Sequence, residues 1–319
     1  MSTPTFFEGP EKKVELALRD ASVSLRSLGD EFWHEVVRAA DAQVLSTLRS
    51  ESCDAYLLSE SSLFVHDAFL TMITCGRTRL VRAVEHIVSR VGAENIALLT
   101  YERKNEHFPD RQHSTFYDDS RALNAIIPGR AIRFGDEHDH HVHLFHSTAD
   151  YVVHDKDTTL EILMHGLPDE VARRFVGMTP PQKGTLIEEH GFGALLPGFA
   201  IDEHAFTPAG YSMNALRGDD YYTIHVTPEE LGSYVSFETN LDFRPRFNEI
   251  VAGVVEVFRP RSFDVMSFAP LASESMSLEL RSHQVKDHVQ DQVHGYAINY
   301  WHCFEQQDEG RSTVEVSLR

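Results

Sequence analysis

The chain has 319 residues, of which 42% are hydrophobic and 10% aromatic, so it can bury a substantial core. Its 49 acidic and 29 basic residues give a formal charge of −20, which repels nucleic-acid phosphates, and we expect no nucleic-acid partner. No run approaches the roughly 18 apolar residues of a membrane span, and residues 1–4 show no signal-peptide pattern, so we expect no membrane partner either. Three cysteines without paired spacing indicate no disulfide framework and predict a reducing compartment, the cytoplasm.

The predicted elements of the first hundred residues are strand-rich segments, each followed by a helix. Residues 12–18 alternate between apolar and polar side chains and predict a strand. Apolar residues at helical spacing predict an amphipathic helix over residues 30–48, which begins at an aspartate suited to an N-cap. Residues 54–74 contain two or three short runs typical of strands. The next helical pattern covers residues 80–91 and ends at Gly92.

The rest of the pattern is mostly β-structure. A helix is predicted over residues 247–258, because apolar residues recur there at helical spacing until Pro260. Many predicted strands follow one another without a helix between them, which favours antiparallel sheets covered by helices over a doubly wound parallel sheet. No linker and no clear internal repeat is visible, so we expect one α+β domain over residues 1–319. The further predicted strands cover residues 95–101, 130–134, 141–146, 158–164, 221–226, 233–238 and 262–268.

Three segments are rich in residues suited to catalysis. The first is Phe-Phe-Glu-Gly-Pro-Glu-Lys at residues 6–12. The second covers residues 56–65, with Ser-Glu-Ser-Ser inside it, and is followed by Thr-Cys-Gly at residues 74–76. The third begins with Pro-Ala-Gly-Tyr-Ser and ends with Phe-Glu-Thr-Asn, over residues 208–240. Their order and spacing closely resemble the eukaryotic-type S-adenosylmethionine decarboxylases, a pyruvoyl-dependent family, from about residue 6 to residue 300.

The resemblance implies a four-layer α/β/β/α sandwich of two mainly antiparallel sheets flanked by helices. It also implies that the chain cuts itself between Glu60 and Ser61 into a β chain, residues 1–60, and an α chain, residues 61–319. In the family the serine hydroxyl attacks the preceding carbonyl, and elimination from the resulting ester leaves a covalent pyruvoyl group, which is the cofactor. Because serine is a poor nucleophile toward an amide, this chemistry needs a strained turn and a stabilised oxyanion.

The resemblance assigns roles to further side chains. His225 corresponds to the base that removes the α-hydrogen of the cleavage-site serine, and Ser212 assists processing. Neutral imidazole suits that task at pH 7. Cys75, fourteen residues after the serine, corresponds to the proton donor that completes the reaction. Glu8 and Glu11 of the first motif are also assigned to the catalytic site.

The implied substrate is S-adenosylmethionine. In the family the pyruvoyl group forms a Schiff base with the α-amine of the substrate and accepts the electrons left by carbon dioxide. The product is the aminopropyl donor for spermidine and spermine biosynthesis. Phe7 and Phe206 match the two rings that stack on adenine, each worth roughly 1 kcal/mol. Glu229 matches the carboxylate that binds the ribose hydroxyls, and Glu60 is assigned to the substrate site as well.

A second site implied by the resemblance is an acidic cluster between the sheets, where some members bind putrescine as an activator. Activated members carry an apolar residue at the position of Lys13, a lysine at that of Ile73 and an aromatic residue at that of Thr100. A buried carboxylate cluster needs a compensating cation, which Lys13 can supply. We therefore expect putrescine to be at most a weak effector. The residues placed at this site are Lys13, Glu15, Asp157, Thr159, Glu161, Glu238, Phe268 and Tyr296.

Two other functions fit parts of the pattern. A pyruvoyl-dependent decarboxylase of the same fold that acts on ornithine or arginine would not need Phe7, Phe206 and Glu229. A catalytically inactive regulatory homologue should have lost the serine, cysteine or histidine assigned above, and all three are present. The histidine-rich run at residues 136–146 lacks the paired spacing of a defined metal site, so no metal is predicted. The sequence leaves open whether the cleaved protomer is a monomer or a homodimer.

Overall fold

The computed structural model describes residues 6–19, 24–177, 192–273 and 276–306. Within these ranges the chain forms two eight-stranded sheets, and all hydrogen-bonded neighbours in both sheets are antiparallel. No helix in the described part is long and apolar enough to cross a membrane.

The first sheet contains the strands of the N-terminal half, in the order β2-β3-β4-β5-β1-β6-β8-β7. Most of its strands are buried on both faces, because helices cover one face and the second sheet covers the other. Its strands are β1 (Lys12–Leu18), β2 (Val44–Arg49), β3 (Cys53–Leu58), β4 (Ser61–His66), β5 (Phe69–Thr74), β6 (Ile96–Lys104), β7 (Gly129–Gly135) and β8 (His141–Ser147).

The second sheet has the order β10-β11-β12-β13-β9-β14-β16-β15. Adding eight to each strand number of the first sheet gives this order, so the chain folds as two halves with one topology. The residues show no clear repeat, because strand order depends on the pattern of apolar and polar positions and not on residue identity. The strands are β9 (Thr159–His165), β10 (Ala200–Ala205), β11 (Tyr211–Arg217), β12 (Asp220–Thr227), β13 (Tyr234–Thr239), β14 (Ser262–Pro270), β15 (His283–Val293) and β16 (Tyr296–Glu305).

Helices cover the outer face of each sheet. They are α1 (Gly29–Ala39), α2 (Leu80–Val91), α3 (Phe116–Ile126), α4 (Asp169–Ala172), α5 (Phe192–Leu195) and α6 (Phe247–Phe258). On the first sheet, Trp33 of α1 and Ile87 of α2 are fully buried in one apolar core. On the second, Ile250 and Val254 of α6 are fully buried in another. The layers run helix, sheet, sheet, helix, which confirms the four-layer α/β/β/α sandwich of the α+β class.

The helix predicted over residues 30–48 is wrong in length and in its N-cap. Leu28 occupies the N-cap position, and Asp30 lies in the first turn. The helix ends at Ala39, and the chain turns through Asp41, which has a φ of 64°. The following apolar residues belong to β2, because a short apolar run fits the helical and the strand period equally well. The other predicted elements are confirmed within a few residues at their ends, whereas α3, α4, α5, β10, β11, β15 and β16 were not predicted.

The layer between the two sheets mixes apolar and polar side chains. Phe64 of β4 stacks on Tyr221 of β12, with ring centroids 3.9 Å apart and planes at 13°. Close to this pair, the hydroxyl of Ser62 bonds to Asn214 on the opposite sheet at 2.6 Å. Since buried polar groups must find partners, the polar residues of this layer are held in defined pairs across the sandwich.

Candidate active site

Ser61 begins β4 directly after a tight turn. Leu58 pairs with Ser61, so Ser59 and Glu60 form a two-residue hairpin loop. The φ angle of Ser61 is 134°, in the region that favours glycine, and such a backbone costs of the order of 1–3 kcal/mol. The residue is 1% exposed, and its Oγ has no hydrogen-bond partner among the described residues. A strained serine with an uncommitted hydroxyl suits attack on a neighbouring carbonyl.

The carbonyl oxygen of Glu60 accepts two hydrogen bonds from Cys75. The backbone N–H donates at 2.8 Å and the thiol at 3.2 Å. Cys75 directly follows β5, whose Thr74 pairs with Ser61, so the sheet register sets this contact. Both donors face the oxygen on which negative charge develops when a nucleophile attacks this carbonyl. The geometry meets the second requirement of the serine chemistry, a stabilised oxyanion.

The thiol of Cys75 is held in its protonated form. The residue is 8% exposed, and burial raises the pKa of the thiol well above its ordinary value. The carboxylates of Glu60 and Glu11 raise it further, while the ammonium of Lys12 opposes them. A protonated thiol can give its proton to a carbanion that forms beside it.

Lys12 and Gly76 form the wall next to the hairpin. The Lys12 ammonium donates to the carbonyl of Gly76 at 3.1 Å, and burial lowers the pKa of Lys12 to about 8. Gly76 has a φ of 64°, and a Cβ there would lie 2.8 Å from Oε2 of Glu60 and 3.1 Å from the ring of Phe7. The positive φ and the close approach both favour glycine here. Lys12 belongs to the first motif, but no role was predicted for it.

His225 lies on β12 in the opposite sheet and is 6% exposed. Burial lowers the pKa of its imidazole to about 3, so the ring is neutral at pH 7. Nδ1 lies 2.9 Å from Oγ of Ser212, and Nε2 lies 2.8 Å from Oγ1 of Thr223. The Thr223 hydroxyl also lies 2.8 Å from the carbonyl oxygen of Met213, to which it donates. One nitrogen of the neutral ring carries no proton and can act as a base.

Ser62 connects this histidine to the serine hairpin. Its Oγ donates to Oδ1 of Asn214 and lies 3.2 Å from Nε2 of His225. The structure therefore brings His225 against the residue that follows Ser61, although no hydrogen bond joins Ser61 itself to His225 in the described part of the chain. Ser62 and Asn214 were not predicted as site residues. For Asn214 the available signal was its two-residue spacing from Ser212, whereas Ser62 directly follows Ser61 and shows no such spacing.

The two acidic residues of the first motif have different partners. The carboxylate of Glu8 accepts the backbone N–H groups of His107 at 2.7 Å and Phe108 at 2.9 Å. Glu11 accepts a hydrogen bond from Oγ of Ser236 at 2.7 Å, and burial raises its pKa to about 7. Glu8 thus positions a loop, whereas Glu11 is a buried group that can exchange a proton near neutral pH.

Most of the residues predicted to bind substrate lie around the hairpin. Oε1 of Glu229 accepts the backbone N–H of Phe7 at 3.1 Å, and Phe7 is 37% exposed. Burial raises the pKa of Glu60 to about 7, and its Oε2 has no hydrogen-bond partner among the described residues. The ring of half-buried Phe206 meets that of His204 at 4.8 Å between centroids, and no ring contact joins Phe206 to Phe7, both of which are described.

Lys13 lies at the centre of the predicted acidic cluster. It is 1% exposed, and its Nζ is 2.8 Å from carboxylate oxygens of Glu15 and Glu161 and 3.2 Å from Glu238. Burial disfavours the ammonium, but these carboxylates outweigh burial and hold the pKa of Lys13 well above its ordinary value. Ile73, where activated family members carry a lysine, is the direct neighbour of Lys13 on β5.

A second lysine of the acidic cluster, Lys104, was not predicted. Nζ of Lys104 lies 2.6 Å from Glu161 and 2.9 Å from Glu102, and Glu102 also lies 3.8 Å from Lys13. The strand was predicted to end at residue 101, but β6 continues to Lys104. Residues 102–104 are three consecutive charged residues without alternation, so the sequence pattern offered no signal for this continuation.

The other polar residues predicted at the cluster line a cavity of about 80 Å³ beside it. Oγ1 of Thr159 donates to Glu15 at 3.3 Å, which ties this cavity to the cluster. Asp157 accepts a hydrogen bond from the hydroxyl of Tyr151 at 2.9 Å and forms no ion pair with Lys13 among the described residues. Asp157 therefore belongs to the cavity and not to the ion-paired centre.

The two predicted aromatic residues form the wall between cluster and cavity. The ring of Phe268 lies 5.9 Å from Nζ of Lys13, within the range of a cation–π contact. Tyr296 meets Phe268 edge-on and stacks on Tyr151, with 6.2 Å between centroids in both cases. These rings cover the charged groups from one side.

Comparison with known protein families identifies the class of protein that has this fold and this serine hairpin. The family described as adenosylmethionine decarboxylase matches residues 4–313. The chain belongs to the adenosylmethionine decarboxylase family.

Several relatives share about a third of their residues with this chain. The S-adenosylmethionine decarboxylase proenzyme of Dictyostelium discoideum is 34% identical over 286 residues, which are 82% of this chain and 74% of the relative. That of Xenopus laevis is 34% identical over 289 residues, 86% of each chain. That of Spinacia oleracea is 32% identical over 291 residues, 85% of this chain and 80% of the relative.

The structure also resembles a solved one. The crystal structure of the Trypanosoma brucei AdoMetDC-delta26 monomer superposes with a TM-score of 0.60 and 23% identity, and the match covers 77% of this chain and 99% of the other. At that identity the similarity shows the fold.

Proposed function

We propose that this chain is an S-adenosylmethionine decarboxylase, a carboxy-lyase that produces decarboxylated S-adenosylmethionine for spermidine and spermine biosynthesis. Family membership and the relatives named as proenzymes support this function. The observation that carries the proposal is the conformation of Ser61, whose free hydroxyl adjoins a carbonyl already hydrogen-bonded by Cys75. We further propose that residues 1–319 form one domain that is processed into residues 1–60 and 61–319.

Processing would begin at the peptide bond between Glu60 and Ser61. Oγ of Ser61 attacks the carbonyl carbon of Glu60, and the N–H and S–H of Cys75 stabilise the oxyanion. The C–N bond then breaks, the nitrogen of residue 61 keeps the electron pair and takes up the hydroxyl proton, and an ester remains. Part of the driving force is strain, because cleavage releases the positive φ of Ser61.

The second step is an elimination. His225 removes the α-hydrogen of residue 61, since its ring is neutral and can accept a proton. The C–O bond of the ester breaks, its electrons pass to the new carboxylate of Glu60, and a dehydroalanine remains. Water adds and ammonia leaves, which gives the pyruvoyl ketone. The Ser212 hydroxyl, hydrogen-bonded to Nδ1, and the Ser62 hydroxyl, near Nε2, hold the ring in place.

In the decarboxylation the pyruvoyl carbonyl supplies the electron sink for the loss of carbon dioxide from the substrate. Side chains of the protein donate the proton and bind the substrate. The protonated thiol of Cys75 gives a proton to Cα of the product, and Phe7 and Phe206 stack on adenine. Glu229 accepts hydrogen bonds from the ribose hydroxyls, from a position that its contact with the backbone of Phe7 maintains. The carboxylate of Glu60 lies beside the same pocket.

The test of this proposal is the mass of the purified protein. Wild type should give two fragments, with a ketone at residue 61, while Ser61→Ala should stay uncut and inactive. Ser59→Ala is the matched control in the same loop, since its Oγ only accepts the N–H of Gln43, and it should be cut normally. An uncut chain that decarboxylates S-adenosylmethionine would overturn the mechanism. Faster release of carbon dioxide from ornithine or arginine would favour the alternative amino-acid decarboxylase.

We propose in addition that putrescine is at most a weak effector, because Lys13 and Lys104 already balance the buried carboxylates. Adding millimolar putrescine should change activity by less than about twofold, under 0.5 kcal/mol in barrier. The three cysteines are free, which fits the expected cytoplasmic location. The cleaved protomer acts as a monomer or a homodimer.

A further inference from the structure

A cluster of histidines and one aspartate lies away from the serine hairpin and has no role in the chemistry above. His140 comes from the turn between β7 and β8 of the first sheet, while His165 ends β9 and Asp264 lies on β14 of the second. Oδ2 of Asp264 is 3.2 Å from Nδ1 of His140 and 3.8 Å from Nε2 of His165. All three ligand atoms lie within 4.8 Å of one another. No metal was predicted for the histidine-rich run at residues 136–146, because its histidines lack paired spacing. Of the three residues of this cluster, only His140 belongs to that run.

The carboxylate of Asp264 is oriented by groups behind it. Oδ1 accepts hydrogen bonds from the hydroxyl of Tyr300 at 2.9 Å and from Nδ1 of His302 at 2.7 Å. This leaves Oδ2 turned toward the two imidazoles. Asp264 is only 2% exposed, so its charge is desolvated and needs a cation nearby. Such outer hydrogen bonds to a ligating carboxylate are typical of metal sites.

We propose that His140, His165 and Asp264 bind a divalent transition-metal ion, with Zn²⁺ as the best fit. Two imidazoles and a carboxylate are ligands that zinc binds at about 2.0–2.2 Å in tetrahedral geometry, which places ligand atoms roughly 3.3–3.5 Å apart. The two separations of 3.2 and 3.8 Å from Asp264 bracket that distance, and the two imidazole nitrogens, within 4.8 Å of each other, would move closer on binding. Calcium and magnesium are disfavoured, because they prefer sites made of oxygen ligands.

A cavity reaches one of the three proposed ligands, His140. This cavity of about 510 Å³ opens beside His140 and His302 and is also lined by Asp139 and Lys286. Asp139 and Lys286 form an ion pair at its rim. Water from this cavity can complete the tetrahedron, so the ion can enter and exchange.

The ion would join the two sheets. His140 belongs to a hairpin turn of the first sheet, whereas the other two ligands belong to the second. The ring of His165 also meets that of His107, at 6.3 Å between centroids, and the backbone of His107 is held by Glu8. A bound ion would therefore stabilise the sandwich at the side of the loop that borders the active site.

The test is zinc retention by tag-free protein, measured by elemental analysis after incubation with Zn²⁺ and dialysis. Wild type should retain one ion per chain, and Co²⁺ in its place should show visible absorption bands of tetrahedral coordination. His140→Gln and His165→Gln should retain less than about a tenth of that amount. His138→Gln is the matched control, because His138 is exposed in the same turn and its ring has no partner in the cluster. Bound Co²⁺ or Fe²⁺ without Zn²⁺ would support the same site with another ion.

Thermal unfolding gives a second readout that does not depend on decarboxylation. A chelator should lower the Tm of wild type by a few degrees and leave that of His140→Gln unchanged, because a ligand stabilises only a protein that binds it. His140 lies in a turn and is 21% exposed, so this variant should fold. No retained metal in wild type, or equal retention in His140→Gln, would overturn the proposal and leave a histidine–aspartate ion pair that needs no metal.

Discussion

The two halves of the molecule share one strand order and differ in the side chains on the sheet faces that lie between them. Hairpin β3–β4 of the first half holds the strained Ser61, and its equivalent in the second half, β11–β12, holds Ser212 and His225. The two hairpins face each other, since Ser62 of one contacts His225 of the other. Topology thus places two equivalent hairpins in contact, and in the proposed mechanism one hairpin supplies the nucleophile and the other supplies the base.

Equivalent strands of the two halves also carry different charged side chains. Strand β6 carries Glu102 and Lys104 into the ion-paired cluster, whereas its equivalent β14 carries Asp264 into the histidine cluster. Equivalent positions in a sheet are therefore free to take different chemistry, provided that each buried charge finds a partner. The shared strand order determines which inward-facing positions can meet. The residue types at those positions determine their chemistry.

The largest expected effect comes from breaking the contact between the two hairpins. His225→Ala should slow self-cleavage by roughly 10²–10⁴-fold, the usual contribution of a general base. The uncut chain or its ester should accumulate, and the ester can be detected by its cleavage with hydroxylamine. Normal cutting of His225→Ala would show that the second half contributes no base.

The same histidine makes a prediction about pH. Because burial lowers its pKa to about 3, the ring stays neutral from pH 8 to pH 5. The cleavage rate should therefore show no loss near pH 6.5, where an ordinary histidine becomes protonated. A fall of the rate with a midpoint near pH 6.5 would contradict the assignment.

Breaking the ion-paired centre should have the next largest effect. Lys13→Leu leaves several buried carboxylates without their cation and should cost about 3–5 kcal/mol in the free energy of unfolding. It should also lower basal activity and create a dependence on putrescine. The free energy of unfolding is best measured in the uncut Ser61→Ala background. Lys156→Leu, which replaces an exposed lysine, is the control variant. Unchanged stability and strong stimulation of the wild type by putrescine would contradict the role of Lys13.

The smallest expected effect tests the residues assigned to substrate binding. Phe206→Ala removes one proposed stacking ring and should lower kcat/KM for S-adenosylmethionine by roughly tenfold, with cleavage unaffected. Phe69→Ala, which removes an exposed ring on β5, should leave kcat/KM unchanged. Equal losses in both variants would point to a general effect on folding.

Much of the fold and the main candidate residues could be predicted from the sequence. Alternating and helical patterns located most strands and helices, and the motif resemblance located Ser61, Cys75 and His225. What the sequence missed depends on contacts between distant segments. Lys104 meets Glu161 only because β6 and β9 face each other across the sandwich, and the partners of Cys75 depend on strand register. Local patterns do not contain such contacts.

The place of β1 in the sheet gives proposed self-cleavage a consequence for folding. The small fragment is not a detachable tail, because β1 lies between β5 and β6, and both of those strands belong to the large fragment. Before the cut, the two fragments meet as parts of one molecule, at a high effective concentration. After the cut, a protein that unfolds must find its lost central strand by a bimolecular encounter, which dilution makes slow. Processing would therefore turn a reversible folding reaction into one whose outcome depends on protein concentration.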